Sequence, residues 1–394
     1  MKHFIGIDNS SLDHKVHIID ELGNNINSFI ISNDFKGFEN LHNTIKKFKN
    51  VSFAFELPHG PLVDYLRQKG YNLYSINPLK IKRFKESYIV SGNKNDKVDA
   101  EAIAHYLLRY RNNLRPLMFN SYDIERLKVF TLSHTRLTKE HTRYSNRLLF
   151  ILRQYFPLYT SLFSDHSLKI QLKMLIAYPK HSDLKRASRE DLIHFLKTNH
   201  YRNPKYINKV LNNIEGYQQM ISPEVEEALQ YEARALARML ITIKIELKCI
   251  QNKMNDITNN HRLGKYFKSL PGSGNIFSCK LLSLFGDNKD RYTDANGIQC
   301  LFGTAPRNYQ SGTYHKVIMR KACNKLAKSV LYQFSFSSIK SSPWAREYYY
   351  NQRKKGKKHS VAVRALSNKW VKIIYKLWKD EIIYQEEKKI TSAA

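Results

Sequence analysis

Four short β-type runs near the start of the chain limit its possible folds more than any other feature. They read HFIGID, KVHIID, NSFIIS and VSFAFE, and a helical stretch from Phe35 to Phe48 precedes the fourth run. The first three runs are joined by connections too short for helical crossovers, so we predict that they form an antiparallel meander. The fourth run follows a helix and is spaced for a parallel β-α-β unit.

The same alternation continues for about another fifty residues. A predicted helix from Pro61 to Lys69 leads to the strand-like run YNLYSI, a basic Gly/Asn-containing segment and a helix that begins near Asp96. The resulting order, β-β-β-α-β-α-β-α, is that of ribonuclease-H-like folds. We therefore predict that residues 1–115 form an α/β domain of this RNase-H/RuvC-like class.

The centre of the chain has a helical pattern instead. Two long stripes of mainly apolar residues, from Leu127 to Tyr155 and from Leu229 to Ile257, recur at spacings of three and four. The second stripe keeps a heptad seam, which predicts a coiled coil over residues 116–261, with a helical segment inserted between Pro157 and Pro223. The seam could close within the chain as an antiparallel hairpin or could join subunits. Residues 262–394 are predicted to be a mainly helical C-terminal domain with a basic tail.

The charge of the chain indicates a polyanionic partner. It carries 65 Lys and Arg against 34 Asp and Glu, a formal net charge of +31, which argues against an ordinary enzyme of small metabolites. Nucleic acid is the leading candidate, because cations that neutralise phosphates release condensed counterions. The four cysteines form no CxxC pair and no run of about 18 apolar residues occurs, so we expect no zinc knuckle, no disulfide scaffold and no membrane partner. A reducing cytoplasm is the expected location.

Four carboxylates lie where they could converge. Asp8 ends the first apolar run, Glu56 ends the fourth, and Asp96 and Asp99 are three residues apart at the start of a predicted helix. Each alone could be a turn, cap or edge residue. Together they predict a site for Mg²⁺, with two ions about 3.5–4 Å apart and Mn²⁺ as a substitute, suited to phosphodiester displacement.

A second candidate site is the run Gly303 to Gly312, which contains the pair Ser311-Gly312. A serine among cations could attack phosphorus, although Ser-Gly in a loop is usually only a turn. Gly272 and Gly274, before an apolar helix, are typical of a turn that grips phosphate. A tail of aromatic and basic residues suits stacking and phosphate contact, whereas Trp370 and Trp378 are predicted to be core. The candidate nucleic-acid-binding residues are Gly272, Gly274, Arg307, Tyr309, Lys316, Arg320, Lys321, Arg353, Lys354, Lys355, Lys357 and Lys358.

These motifs, taken in order, resemble a known family. FIGID, FELPHG and KNDKVDAEAIA are similar to the carboxylate motifs of DEDD-type insertion-sequence transposases related to the Piv invertases, whose N-terminal domain is RuvC-like. SLPGSGNIFSCKLL, FGTAPRNYQSGTYHKV and the MRKACNK run resemble that family's C-terminal transposase domain. The likeness spans nearly the whole chain.

The resemblance implies a mechanism and partners. Ser311 would form a covalent phosphoserine bond to DNA while Asp8, Glu56, Asp96 and Asp99 hold Mg²⁺, the two domains meeting in a composite site. A structured noncoding guide RNA, the bridge or seeker RNA, would pair with donor and target DNA duplexes. By analogy the protein would be a homo-oligomer, a dimer or tetramer, in the cytoplasm of a bacterium or archaeon.

We therefore predict an RNA-guided, site-specific DNA recombinase. Two alternatives stay open: a RuvC-like hydrolytic nuclease, in which Ser311 is only a loop residue and water attacks, and a catalytically inert nucleic-acid-binding derivative. Replacement of Ser311 separates the first alternative, because a nuclease would still nick DNA. Replacement of Asp8 or Glu56 separates the second, because an inert protein would be unchanged.

Overall fold

A computed structural model describes residues 1–88, 96–163, 168–217 and 221–386, without the side chains of residues 88 and 96–98. The chain divides into two units, residues 1–119 and residues 120–394. Across the described ranges, no helix combines the length and the apolar content needed to span a membrane. The second unit contains both the region predicted as a coiled coil and the predicted C-terminal domain.

The first unit is built on one five-stranded sheet, whose strands are β1 (His3–Asn9), β2 (Asp13–Ile19), β3 (Asn25–Ser32), β4 (Val51–Phe55) and β5 (Asn72–Ser75). Their order in the sheet is β3-β2-β1-β4-β5. Strand β1 pairs antiparallel with β2 and parallel with β4, while β2 pairs antiparallel with β3 and β4 pairs parallel with β5. The predicted meander and parallel units are therefore confirmed.

The helices of the first unit are α1 (Phe35–Ile45), α2 (Pro61–Gln68), α3 (Pro78–Tyr88) and α4 (Asp96–Tyr110), with a 3-10 turn at Arg111–Asn113. Helix α3 corrects the sequence analysis, which had only a basic segment there. Its two buried residues, Ile81 and Phe84, are three apart and give the helix one apolar face. The many lysines and arginines around them hide this short stripe in the sequence.

Helix α4 lies directly on the backbone of β1. A Cβ atom on Gly6 would lie 2.0 Å from the carbonyl oxygen of Ala100 and 2.5 Å from the amide nitrogen of Ala104. Ala100 and Ala104 are themselves buried. The small residues on both elements therefore bring the helix and the strand into contact and fix the height of α4 above the sheet.

The second unit is organised around two long helices, α5 (Tyr122–Tyr155) and α11 (Pro223–Asn260). The Nε2 atoms of His134 and Gln251 lie 3.1 Å apart, and Arg147 pairs with Glu232. Because the partner number falls as the α5 number rises, the two helices run antiparallel within one chain. This pairing answers the question that the sequence left open.

The two long helices connect two apolar cores. One core contains the end of α5 and the start of α11, together with the inserted helices α6 (Tyr159–Leu162), α7 (Lys169–Ala177), α8 (His181–Arg186), α9 (Arg189–Thr198) and α10 (Pro204–Glu215). The other contains the start of α5 and Met254 of α11. Between the cores, the seam residues Ile243 and Leu247 are only half-buried.

The second core is completed by helices α12 (Gly264–Lys268), α13 (Gly274–Phe285), α14 (Ala295–Leu301), α15 (Lys325–Ser341), α16 (Pro343–Lys354) and α17 (His359–Asp380), with a 3-10 turn at Lys289–Arg291. Trp370 and Trp378 are fully buried, which confirms their predicted place in the core. The ring of Trp344 packs 4.8 Å from that of Trp370 and its indole N–H donates to the Tyr384 hydroxyl, so Trp344 is part of the core margin. A two-stranded hairpin, β6 (Arg307–Ser311) and β7 (Tyr314–Ile318), interrupts the helices.

The close contact at Gly6 predicts that a larger residue there destabilises the chain. Gly6→Ala should destabilise the chain by about 1–3 kcal/mol, because the added methyl group overlaps backbone atoms of α4 that cannot rotate away. Thermal unfolding of the full chain measures the effect. Gly216→Ala is the matched control, since its Cβ would only make an ordinary contact with Asn212. Equal midpoints for the two variants would contradict the prediction.

The burial of His134 predicts that the stability of the chain depends on pH. Burial between the long helices, with a smaller effect of Lys280, lowers the pKa of His134 to about 4. An unfolded histidine titrates near 6.5, so below that pH the unfolded chain binds a proton that the folded chain does not. The pH of 5 is about 1.5 units below the pKa of the unfolded histidine. Protonation of the unfolded chain therefore lowers the free energy of unfolding by about 2 kcal/mol. His134→Gln should unfold with a smaller loss between pH 7 and 5 than the wild type, whereas exposed His59→Gln should match the wild type in thermal scans.

Candidate functional site

Two carboxylates lie at neighbouring strand ends in the first unit. Asp8 is on β1, and Glu56 directly follows β4. The parallel register pairs Ile7 with Phe55, which brings the next residue of each strand to the same edge of the sheet. Both side chains are half-buried.

The third carboxylate comes from the helix above this edge. Asp99 lies one residue before Ala100, the residue whose backbone approaches Gly6, so the close packing of α4 holds Asp99 over β1. The Lys85 ammonium of α3 lies 2.5 Å from Asp99 Oδ1. Asp96 is the first residue of α4, but its side chain lies outside the described part of the structure.

The electrostatics of Asp8 show that the carboxylates interact. Burial raises the pKa of the Asp8 carboxyl, and repulsion from Asp99 and Glu56 raises it further, while Lys15 and Lys85 oppose the shift. A divalent cation beside Asp8 would relieve the repulsion that these two neighbours exert on its carboxylate. Of the four predicted carboxylates, Asp99 and Glu56 are therefore near enough to Asp8 to act on its charge.

Two lysines of this cluster were not predicted from the sequence. Lys15 is opposite Asp8 in the β1–β2 register, and Lys85 is on the helix that was not predicted. Lys15 could have been found from the strand register, because its position follows from the length of the first turn. Lys85 could not, because its contact with Asp99 depends on how α3 and α4 pack.

In the second unit, Ser311 ends strand β6 of the exposed hairpin. The register pairs Ser311 with Tyr314, Tyr309 with Lys316, and Arg307 with Ile318. Directly opposed residues and alternate residues share a face of a strand pair, so one face carries the serine hydroxyl, two phenol rings, a guanidinium and an ammonium group. Gly312, with φ of 55°, takes the first turn position, where a positive φ favours glycine.

Arg320 and Lys321 follow this hairpin. Lys321 is exposed, whereas Arg320 is half-buried. Beyond them, Lys325, Lys328 and Arg364 line a small cavity at the base of the hairpin. This part of the unit is therefore rich in cations.

The turn with Gly272 and Gly274 has a packing contact on one side. The Ser337 hydroxyl donates to the Gly272 carbonyl at 3.0 Å, and a Cβ on Gly272 would lie 3.1 Å from Ser337. Ser273 is buried, while Gly274 is exposed at the first turn of α13. The contact with Ser337 restricts the space at Gly272, and phosphate binding at Gly272 and Gly274 stays a prediction.

The basic tail comprises the end of helix α16 and the loop that leads to α17. Its residues 353–358 are all exposed, and Gly356, with φ of 75°, turns the chain between α16 and α17. The Arg353 guanidinium donates to the Lys357 carbonyl at 2.8 Å, which holds the turn closed. The predicted cations of this tail, Arg353, Lys354, Lys355, Lys357 and Lys358, thus form one exposed cluster.

Two family models match the chain in order. Residues 5–157 match the IS110 DEDD model described as "Transposase", and residues 264–350 match the model described as "Transposase IS116/IS110/IS902 family". The first match includes Asp8, Glu56, Asp96 and Asp99, and the second includes Ser311.

Several proteins are similar to the chain over most of their length. The IS117 mini-circle protein of Streptomyces coelicolor is 26% identical over 386 residues, covering 93% of this chain and 92% of that protein. The IS900 42 kDa protein of Mycobacterium paratuberculosis is 23% identical, with 96% of each chain covered. The IS116 44.8 kDa protein of Streptomyces clavuligerus is 22% identical, covering 99% of this chain and 98% of that protein.

A search of solved structures found RuvC of T. thermophilus in complex with a Holliday junction substrate. It is 13% identical, covers 30% of this chain and 100% of that chain, and superimposes with a TM-score of 0.23.

The carboxylates predict that Mg²⁺ stabilises the folded chain. Millimolar Mg²⁺ should raise the unfolding temperature of the wild type and leave that of Asp8→Asn unchanged, because binding to the folded state alone stabilises it. Without metal at neutral pH, Asp8→Asn should be the more stable protein, since it removes a charge that Asp99 and Glu56 repel. The raised pKa of Asp8 means that this advantage fades as the pH falls and the wild-type carboxyl takes up a proton.

Thermal scans with and without Mg²⁺, at pH 7.5 and pH 4.5, measure both effects. Asp64→Asn is the matched control, because Asp64 lies on α2 in the same unit and pairs only loosely with Arg67, at 3.9 Å. A magnesium response that survives in Asp8→Asn would place the cation elsewhere.

Proposed function

Because this chain is a transposase of the IS110/IS116 family with an N-terminal DEDD domain, we propose that it cuts and rejoins DNA with Mg²⁺ bound by its carboxylates and Ser311 as the nucleophile. The family assignment makes it an enzyme of DNA transposition. The guide RNA, the bound Mg²⁺ and the serine nucleophile go beyond this family assignment and are proposed here.

Asp8, Glu56 and Asp99 would hold the metal, with Asp96 as the fourth ligand. Their shared repulsion supports this assignment, because it is relieved by a divalent cation and hard oxygen donors suit Mg²⁺, or Mn²⁺ in its place. When bound, the metal would stabilise the charge that develops on phosphodiester oxygens. Lys15 and Lys85 would partly offset the raised pKa of Asp8 before the metal binds.

The composition of the hairpin face is the observation that carries the nucleophile proposal. Ser311 shares that face with two cations and two aromatic rings, all exposed. Arg307 and Lys316 would bind the phosphates on either side of the reacting one, and Tyr309 and Tyr314 would stack on bases.

In the proposed step, the Ser311 oxygen forms a bond to phosphorus while the bond from phosphorus to one strand oxygen breaks. The serine proton passes to a base or to solvent, and the leaving strand takes up a proton as a free hydroxyl. Rejoining reverses the exchange: a strand hydroxyl attacks the phosphoserine and releases the serine. The phosphodiester energy is conserved, so no high-energy cofactor is consumed.

The cation excess supports nucleic-acid partners beyond one duplex. We propose that the chain binds a structured guide RNA as well as donor and target DNA, with base pairing supplying sequence and the protein reading backbone shape. The exposed cluster at residues 353–358 would contact phosphates.

A homo-oligomer through the long helices is a further part of the proposal. The outer faces of α5 and α11 expose large apolar side chains, which a second copy could cover as a coiled coil. They include Val129, Phe150, Tyr231, Met239 and Ile245. The expected location is the cytoplasm, where DNA and RNA are both accessible.

The proposal predicts a covalent protein–DNA adduct. Protein, Mg²⁺, RNA transcribed from the flanking element and end-labelled donor and target DNA should give a labelled band on denaturing protein gels. Ser311→Ala should lose the band, because no other oxygen replaces the attacking one. Asp8→Asn should also lose it, because the metal is absent.

Thr313→Ala is the matched control, since Thr313 is an exposed hydroxyl two residues from Ser311 in the same hairpin. It should keep the band. Cleavage without an adduct that persists in Ser311→Ala would support the hydrolytic nuclease instead. DNA binding without any cleavage, unchanged in Asp8→Asn, would support an inert derivative, and an adduct that forms without RNA would remove the guide from the proposal.

A further inference from the structure

A second cluster of side chains that can ligate a metal lies at helix α4, the helix that also carries Asp99. His17 of β2 and Glu101 and His105 of α4 each offer one ligand atom, and these atoms all lie within 4.8 Å of one another. Glu101 and His105 are four residues apart and so share one face of α4. His17 is buried, while the other two are half-buried, which leaves an ion a route from solvent.

This cluster is separate from the carboxylate site. In the β1–β2 register, Lys15 lies opposite Asp8 whereas His17 lies opposite Gly6. The two positions on β2 are a pleat repeat apart, so they point to the same face about 6–7 Å apart along the strand. The donors also differ, because two imidazoles and one carboxylate are softer than a set of carboxylates alone.

We propose that His17, Glu101 and His105 bind a Zn²⁺ ion that fastens helix α4 to strand β2. Two histidines and one glutamate are a ligand set that zinc takes in proteins, with a fourth position left for water. The inference does not depend on the proposed transposition chemistry.

The surroundings of His17 fit a metal ligand. The Ser28 hydroxyl lies 2.6 Å from His17 Nδ1, which occupies that nitrogen and leaves Nε2 for the ion. A hydrogen bond to the second nitrogen is the usual way in which a protein orients a coordinating imidazole. Ser28 is on β3, so a residue of the edge strand orients one ligand of the site.

The surroundings of His105 are also ordered. A Cβ on Gly23 would lie 3.6 Å from His105 Cε1, so the turn between β2 and β3 packs against the imidazole ring. Burial lowers the pKa of both His17 and His105, with Glu101 opposing the shift in each case. Both rings therefore favour the neutral form that coordinates a metal.

The position of the site gives it a structural role. The residues that bind the ion span α4 and β2, and α4 also carries Asp99, less than one turn before Glu101. A zinc bridge would hold this helix at a fixed height over the sheet, in addition to the contact at Gly6. The effect on the carboxylates would be one of positioning.

Cobalt and zinc titrations of the full-length protein test the proposal. After removal of metals by chelation, one equivalent of Co²⁺ should give a visible absorption band, which Zn²⁺ should abolish by displacement. Zn²⁺ should also raise the unfolding temperature. His17→Ala and His105→Ala should each lose the cobalt band, and Ser28→Ala should weaken binding about tenfold.

Two controls separate this site from other causes. Asp8→Asn should keep the cobalt band, because its carboxylate belongs to the other cluster. His14→Ala is the matched control for folding: His14 is a buried histidine on the same strand, bonded to Asn33, and its loss should lower stability without removing the band. Glu101→Gln, which keeps the size of the side chain, should weaken binding without unfolding the domain.

Wild-type protein that gives no cobalt band, or a band that His17→Ala and His105→Ala both retain, would overturn the proposal. The three residues would then be a metal-free hydrogen-bonded group that joins α4 to the sheet. A band lost in Asp8→Asn and kept in His17→Ala would assign the cobalt to the carboxylates, and would equally rule out the zinc site.

Discussion

The contact between helix α4 and strand β1 is the constraint on which the first unit depends. Because Gly6 has no side chain, the backbone of α4 approaches β1 closely enough that Asp99 reaches the edge where Asp8 and Glu56 lie. A wider spacing would move Asp99 away from Asp8 and would separate His17 from Glu101 and His105. One packing contact thus fixes the donors of both clusters.

Much of the first unit could be predicted from the sequence, because its strands are short and their connections are limiting. Three tightly joined runs predict a meander and strands that follow helices predict parallel pairing, and the sheet contains both. The strand order, in which β1 lies between β2 and β4, was not predicted, because strand spacing alone does not say which strands are neighbours. Helix α3 and the ion pair of Lys85 with Asp99 could not be predicted, since both depend on tertiary packing.

In the second unit, the long helices could be predicted from the sequence but the way in which they pair could not. The heptad stripes predicted two long helices, yet the same stripes are compatible with pairing inside or between chains, and only contacts such as His134 with Gln251 distinguish the two. The cluster of His17, Glu101 and His105 is similar in this respect. His17 is 84 residues before Glu101 and 88 before His105, so no local spacing joins it to the other two.

The lysines around the carboxylates connect metal binding with the charge of the whole chain. Lys85 neutralises Asp99, and Lys15 and Lys85 lower the pKa of Asp8 against the effect of burial, so a cation entering the cluster must compete with ammonium groups already there. A DNA phosphate would offer Lys85 another anion to bind, and Asp99 would then be available to a metal. In the proposed mechanism, the arrival of DNA and the binding of Mg²⁺ therefore favour one another, because each relieves a charge that the other leaves unpaired.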